Sequence, residues 1–95
     1  MEFTWDDAKA AVNLRKHGVA FELAAKVWDD PLHLLVFDRL ENGEERWHAI
    51  GLVYGVVILT VVHAFPDAED NGRVRIVSAR KASAAERRRY EANDD

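Results

Sequence analysis

The chain has 95 residues, 48% of them hydrophobic, with 17 acidic against 13 basic residues and no cysteine. This length holds one core, so we predict a single domain over residues 1–95, and the lack of cysteine excludes disulfide scaffolds, thiolate catalysis and cysteine-based zinc sites. The N-terminus lacks a secretory pattern and the longest apolar run, Val56–Val62, is too short to cross a bilayer as a helix. We therefore expect a cytoplasmic protein without a membrane partner.

Two helices are predicted after a short N-terminal strand. Thr4 or Asp6 can cap a helix from about Asp7 to His17, and Gly18 suits the left-handed position that ends a helix. A second helix is predicted over residues 21–29, because its apolar side chains recur at the spacing of one helical face.

A β-hairpin and a buried strand are predicted next. Strands over residues 32–39 and 45–53 are joined through Asn42-Gly43, which supplies the positive φ of a tight turn. Residues 56–65 are aliphatic and β-branched with little alternation, which is typical of a central strand covered on both faces.

The last third of the chain predicts a loop, a strand and a helix. A loop over residues 66–72 leads into a strand over residues 73–80, and Ser83-x-x-Glu86 forms a capping box for a helix from Ala84 to about Ala92. Strands and helices are grouped rather than alternating, which indicates an α+β fold. We predict N-terminal helices packed on a four-stranded, mainly antiparallel sheet, with a C-terminal helix.

Charge is distributed unevenly along the chain. The net charge is −4, yet residues 73–89 contain seven basic residues and one acidic residue, Glu86. Such a block suits a phosphate-bearing ligand, because the donor fork of arginine matches phosphate oxygens. A solvent-exposed helix face explains the same block equally well. The net negative charge of the whole chain argues against a protein whose entire surface binds nucleic acid.

Six segments recur in this order in one known family. They are Trp5-Asp6-x-x-Lys9, Asn13-Leu14-x-Lys16-His17-Gly18-Val19-x-Phe21, Val27-x-Asp29-Asp30-Pro31, Arg46-x-x-x-Ile50-Gly51, Arg75-Ile76-Val77-Ser78-Ala79-Arg80-Lys81-Ala82 and Glu86-x-x-x-Tyr90. With them the sequence resembles a BrnT-type toxin of a type II toxin-antitoxin module.

The resemblance implies a RelE-like or ParE-like fold and a metal-independent endoribonuclease that blocks translation. It also implies an antitoxin with a ribbon-helix-helix domain, so that contact with DNA is made through the antitoxin. The ribosome is a further partner that the resemblance leaves open.

Metal-free cleavage of RNA needs a group that removes the 2′-hydroxyl proton, a proton for the leaving oxygen, and cations for the developing charge. Arg80 resembles the strand-terminal arginine of RelE-like enzymes and is the candidate for charge stabilisation, unless it pairs with Glu86 and secures the helix. Tyr90 resembles their C-terminal-helix tyrosine, which transfers a proton or stacks on a base. A tyrosine that packs its ring on the sheet is the alternative.

Three further residues are candidates for proton transfer. Lys16 and His17 end the first helix, where the helix dipole also favours positive charge. His63 interrupts the apolar run of the central strand, where a buried histidine with satisfied hydrogen bonds is the alternative. The candidates for binding RNA are Arg46, Arg75, Lys81 and Arg87, and His48 shares a strand face with Arg46 by the period of two.

Cofactors are not expected. The four histidines lack metal-ligand spacing and no glycine-rich phosphate loop is present, so we predict neither a metal nor a nucleotide. Two other functions remain open at this stage. One is a ParE-like toxin that binds a protein and has no ribonuclease activity; the other is an inactive copy that acts with the antitoxin at DNA. A ribonuclease toxin would cleave RNA without a metal, whereas neither of these alternatives would.

Overall fold

A computed structural model describes residues 1–66 and 72–93 and confirms the α+β class. Most of the loop predicted over residues 66–72 lies outside the described residues. In chain order the elements are β1 (Glu2–Thr4), α1 (Asp7–His17), α2 (Phe21–Ala24), a 3₁₀ helix (Ala25–Asp29), β2 (Leu34–Glu41), β3 (Glu44–Val53), β4 (Val57–Ala64), β5 (Arg73–Lys81) and α3 (Ala84–Ala92).

The predicted N-terminal helices form, with one correction. Of the two residues considered as the cap of α1, it is Asp6 that accepts the backbone N–H of Lys9, at 3.0 Å. The second helix is wrong as a continuous α-helix, because it tightens to 3₁₀ geometry after four residues. Its buried side chains are spaced by three, which matches three residues per 3₁₀ turn: Phe21, Ala24 and Val27.

The sheet has five strands, so the prediction of four is wrong. The strand order is β1-β5-β4-β3-β2, with β4 in the centre, and β1 pairs with β5 in parallel. A three-residue strand has too few positions to show alternation, and its partner lies about 70 residues away along the chain, at Arg73–Arg75. The predicted hairpin is confirmed: Asn42 and Gly43 have φ of 53° and 78°. No helix among the described residues is long and apolar enough to cross a membrane.

The two faces of the sheet differ in character. The helices at the N-terminus cover one face, and the core there includes fully buried Ala49, Val61 and Ala79. The opposite face, which we call the polar face, presents Arg46, His48, Thr60 and Arg80 from successive strands, and α3 lies against it. These two faces separate the part of the molecule that stabilises the fold from the part available for chemistry.

Asn13 connects α1 to the sheet. Its side-chain amide donates to the carbonyls of Val19, at 3.0 Å, and Ala79, at 2.9 Å, and its oxygen accepts the N–H of Ala79 at 3.1 Å. Both backbone groups of Ala79 are thus satisfied by one buried side chain, which takes the place of a neighbouring strand. The position of α1 on β5 depends on these bonds.

His63 is fully buried on the helix-covered face. Its ring lies edge-on to Trp28 and Phe65, with centroids 4.8 and 5.3 Å away, and its Nε2 has no hydrogen-bond partner in the described part of the chain. Burial lowers the pKa of His63 to about 4, although Nδ1 lies 3.2 Å from the carbonyl of Val61. The ring is therefore neutral in the folded protein near pH 7.

We expect this burial to make stability depend on pH. His63 takes up a proton near pH 6.5 in the unfolded chain but only near pH 4 in the folded protein. Its contribution to the free energy of unfolding is therefore complete above pH 6.5 and is lost as the pH falls to 4. The free energy of unfolding should fall by up to about 3 kcal/mol across this window. Denaturation of wild type and His63→Phe at several pH values measures it. The variant should lack this fall in the free energy of unfolding between pH 6.5 and 4. An equal fall in both proteins would contradict the assignment of the pH dependence to His63.

Candidate functional site

A carboxylate at the start of α3 organises the polar face. Glu86 accepts two hydrogen bonds from the guanidinium of Arg80, at 2.7 and 3.1 Å, and one from the hydroxyl of Thr60 at 2.9 Å. The backbone N–H of Ser83 adds a fourth at 2.8 Å, within the predicted capping box. Arg80 above all, with Ser83 and Thr60, lowers the pKa of Glu86 to about 2 despite partial burial, and Glu86 raises the pKa of Arg80. This pair is charged throughout the physiological range.

His48 lies between two carboxylates beside this pair. Its Nδ1 is 3.8 Å from Glu86 and its Nε2 is 3.5 Å from Asp38, with the imidazole one-fifth exposed. Both carboxylates are within 4 Å of the ring nitrogens, and the exposed fraction of the ring lets a substrate reach it. His48 is therefore placed to exchange a proton next to the guanidinium of Arg80.

A second group of charges lies on the same face. Glu44 accepts a hydrogen bond from Arg46 Nε at 3.1 Å, and the same oxygen accepts one from Arg75. Arg75 and, secondarily, Arg46 lower the pKa of Glu44 against the effect of its partial burial. The strand period of two would place Arg75 and Arg80 on opposite faces, but a β-bulge between them shifts the register and brings Arg75 opposite Ala64.

Tyr90 is placed for support rather than for contact with the arginines. Its ring is 8% exposed, and its hydroxyl donates to Asp30 at 2.5 Å. Asp30 also accepts the backbone N–H groups of Leu52 and Leu32, at 2.8 and 2.9 Å. Partial burial raises the pKa of Asp30, but these hydrogen bonds, led by that of Tyr90, outweigh it and the pKa is lowered. Tyr90 thus fastens α3 to the start of β2 and the end of β3.

The other predicted site residues are scattered. Lys16 and His17 line a separate groove between α1 and β5, and His63 is buried under the opposite face. Lys81 is exposed next to Arg80, and the guanidinium of Arg87 donates to the carbonyl of Ala82 at 3.1 Å. Of the predicted set, the structure brings together Arg46, Arg75 and Arg80.

Sequence reasoning missed the acidic members of the site. Asp38 and Glu44 carry no motif that separates them from solvent-exposed carboxylates of a hairpin. Glu86 had a signal, since the capping box fixes its position and a pairing with Arg80 was one of the two readings. His48 had one in the alternation with Arg46. Within residues 1–66 and 72–93, no group of three or more histidine and acidic side chains is arranged to hold a metal ion.

The fold and the polar face define a small α+β protein suited to binding an anion and moving a proton beside it. A family model described as the ribonuclease toxin BrnT of a type II toxin-antitoxin system matches residues 5–86. The chain therefore belongs to the BrnT family of ribonuclease toxins, and its partners are an RNA substrate and an antitoxin.

A solved structure supports the fold. The crystal structure of the ribonuclease toxin BrnT of Brucella abortus superposes with a TM-score of 0.58 and 24% sequence identity, over 87% of this chain and 97% of that one. No curated protein matches the sequence significantly.

Proposed function

We propose that this toxin cleaves RNA without a metal, at the polar face, using the 2′-hydroxyl next to the scissile phosphate as nucleophile. One observation carries the proposal: an imidazole, His48, lies within 4 Å of two carboxylates, one of which pairs with the guanidinium of Arg80. A proton-transfer group and a phosphate-binding group thus share one open surface.

Arg80 binds the scissile phosphate in this proposal. Its two Nη atoms already hold two carboxylate oxygens in parallel, the geometry in which a guanidinium also holds two phosphate oxygens. Nη1 also donates to the carbonyl of Lys81, at 3.4 Å, so the phosphate binds at the second N–H of Nη2, beside Glu86, or displaces Glu86. Charge that develops on the phosphorane oxygens strengthens these bonds in the transition state.

His48 removes the proton of the 2′-hydroxyl. The 2′-oxygen then attacks phosphorus, the bond from phosphorus to the 5′-oxygen breaks, and the 5′-oxygen takes a proton from water at the open face. The products are a 2′,3′-cyclic phosphate and a 5′-hydroxyl end. Asp38 and Glu86 stabilise the imidazolium that forms, as an acidic neighbour does for other catalytic histidines.

The remaining basic residues extend the RNA surface. We propose that Arg75 and Arg46 hold a neighbouring phosphate, because both donate to one oxygen of Glu44 and a phosphate oxygen can replace it. Lys81 and Arg87, exposed near Arg80, are proposed to contact RNA further along. Tyr90 and His63 receive no chemical role, since the first is engaged by Asp30 and the second is buried.

The partner and cellular setting follow the same resemblance. We propose a RelE-like relationship of the fold, an antitoxin whose ribbon-helix-helix domain binds DNA, and cleavage that inhibits translation in the cytoplasm, with or without the ribosome. The family description supports these proposals by naming a type II toxin-antitoxin system.

A cleavage assay under chelation tests the proposal. Purified toxin is incubated with end-labelled RNA in excess EDTA, and the new ends are analysed for cyclic phosphate. We expect cleavage with 2′,3′-cyclic and 5′-hydroxyl ends. If free RNA is not cut, the assay is repeated on translating ribosomes in their magnesium buffer, where the chemistry of the new ends is the test. Cleavage of free RNA that EDTA abolishes, or 3′-hydroxyl products in either assay, would contradict the proposal.

We expect His48→Gln to slow cleavage about 100-fold, the usual contribution of one acid-base group. His17→Gln makes the same chemical change at a histidine that the sequence suggests for proton transfer and that lies away from the polar face, and we expect it to keep the wild-type rate. The reverse result for the two variants would assign the proton transfer to His17.

A further inference from the structure

A groove of about 340 Å³ runs between α1 and β5, away from the polar face. We call it the α1–β5 groove. Arg80 and His48 are not among the residues that line it. Its wall on the helix is formed by Lys9, Val12, Lys16 and His17, and its wall on the strand by Val77 and Ser78.

The charge of this groove differs from that of the polar face. No carboxylate lines it, and neither Lys9 nor Lys16 forms an ion pair with any described residue, whereas Arg46, Arg75 and Arg80 each pair with a glutamate. Lys9 and Lys16 are seven residues apart, so they lie on one side of α1, two turns from each other. The groove therefore has positive charge that the described part of the toxin leaves uncompensated, in a chain whose net charge is negative.

Apolar side chains lie between these cations. Val12 is 51% exposed although it lies between Lys9 and Lys16, and Val77 faces it from β5. The strand wall is a part of the edge of β5 that no other strand covers. β1 pairs with β5 only at Arg73–Arg75, and the side chain of Asn13 bonds the backbone of Ala79 beyond it. An extended polypeptide fits beside a strand edge, with apolar side chains on the valines and acidic ones at the lysines.

We infer that the α1–β5 groove is the docking site for an extended segment of the antitoxin that carries acidic and apolar side chains. RNA is the less fitting occupant, because no phenylalanine, tyrosine or tryptophan lines the groove for bases to stack on and its centre is apolar. The inference rests on membership of a toxin-antitoxin family and not on the proposed mechanism of cleavage, so each can fail alone.

A paired set of variants tests the inference. Lys9→Glu/Val12→Asp reverses one charge and removes the apolar contact in the groove. An acidic residue at position 9 lies in the first turn of α1, where it suits the helix dipole, and Val12 is half exposed, so the fold should persist. Lys26→Glu/Val56→Asp makes the same changes at two exposed positions elsewhere. The probe is the full-length cognate antitoxin, fluorescently labelled and titrated with each toxin, with circular dichroism as the check on folding.

We expect the groove variant to bind the antitoxin at least about tenfold more weakly than wild type, and the control variant to bind within about twofold of it. Both variants should cleave RNA at the wild-type rate. Unchanged antitoxin binding by the groove variant would overturn the inference, and so would equal weakening by both variants. Loss of RNA cleavage with antitoxin binding intact would assign the groove to RNA instead.

Discussion

Substituting Arg80 by alanine should reduce RNA cleavage about 1,000-fold, the largest loss that we expect from one side chain of the polar face. A guanidinium that binds the transferred phosphate contributes most in the transition state, and removing such a donor costs 100-fold to 1,000-fold or more in comparable sites. Arg80→Lys keeps the charge and loses the two parallel hydrogen bonds, so its rate should lie between those of wild type and alanine variant.

The control for Arg80→Ala lies on the same strand. Arg73 pairs with Glu2, which is exposed, and Arg73→Ala makes the same change away from His48. We expect Arg73→Ala to cleave at nearly the wild-type rate. Equal rates for Arg80→Ala and wild type under single-turnover conditions would remove Arg80 from the site, and equal losses for both arginines would indicate general attraction of RNA to basic residues.

Loss of Arg80 should also change the acid stability of the fold. Glu86 would keep its bonds from Thr60 and Ser83, but its pKa would rise toward the ordinary value of 4.5. In the wild type, stability from this depressed pKa is present above pH 4.5 and lost as the pH falls toward 2. Because Glu86 is partly exposed and its charge is screened by solvent, we expect the acid-induced loss in the free energy of unfolding to be about 1 kcal/mol larger for wild type than for Arg80→Ala.

Acidic residues of the polar face balance its arginines. Glu44 and Glu86 each compensate one or two arginines, and Asp38 lies beside His48. The face thus contains a large number of donors without a large net charge. In the proposed mechanism an anionic substrate binds there by exchanging one set of oxygens for another, which would favour affinity for phosphates in a defined geometry over general attraction to RNA.

Local signals in the sequence predicted much of the fold. Asp6 and Gly18 mark the two ends of α1, Asn42-Gly43 marks the hairpin, and Ser83 with Glu86 marks the start of α3. In each case the residue acts on its own backbone within four positions, so no knowledge of the tertiary structure is needed. The prediction of elements succeeded where the physics is local.

The features that the sequence did not predict depend on distant partners. The short N-terminal strand was predicted, but its parallel pairing with β5 as a fifth strand of the sheet was not, and neither was the bond from the hydroxyl of Tyr90 to Asp30, 60 residues away. The β-bulge in β5 moves Arg75 onto the polar face against the period of two. The basic residues of the candidate site were therefore predictable from the sequence, together with the possible pairing of Arg80 with Glu86, but the carboxylates Asp38 and Glu44 beside them were not.

Asn13→Leu should destabilise the fold by about 3 kcal/mol or more, the largest effect on stability that we expect. Leucine has a similar volume, so the substitution removes hydrogen bonds without leaving a cavity. It leaves the N–H and carbonyl of Ala79 and the carbonyl of Val19 without their partner, and each buried group left unpaired costs about 1–3 kcal/mol. Chemical denaturation at pH 7 measures the change, with the slope against denaturant unchanged.

A matched substitution on the same helix separates this effect from helix propensity. Leu14 is half exposed, and Leu14→Asn places the same two residue types in the opposite order at a neighbouring position. We expect it to cost less than about 1 kcal/mol, mainly through helix propensity. A loss below 1 kcal/mol for Asn13→Leu would show that water replaces the amide at the strand edge. The larger loss would show that one side chain, in place of a sixth strand, holds α1 along the edge of β5.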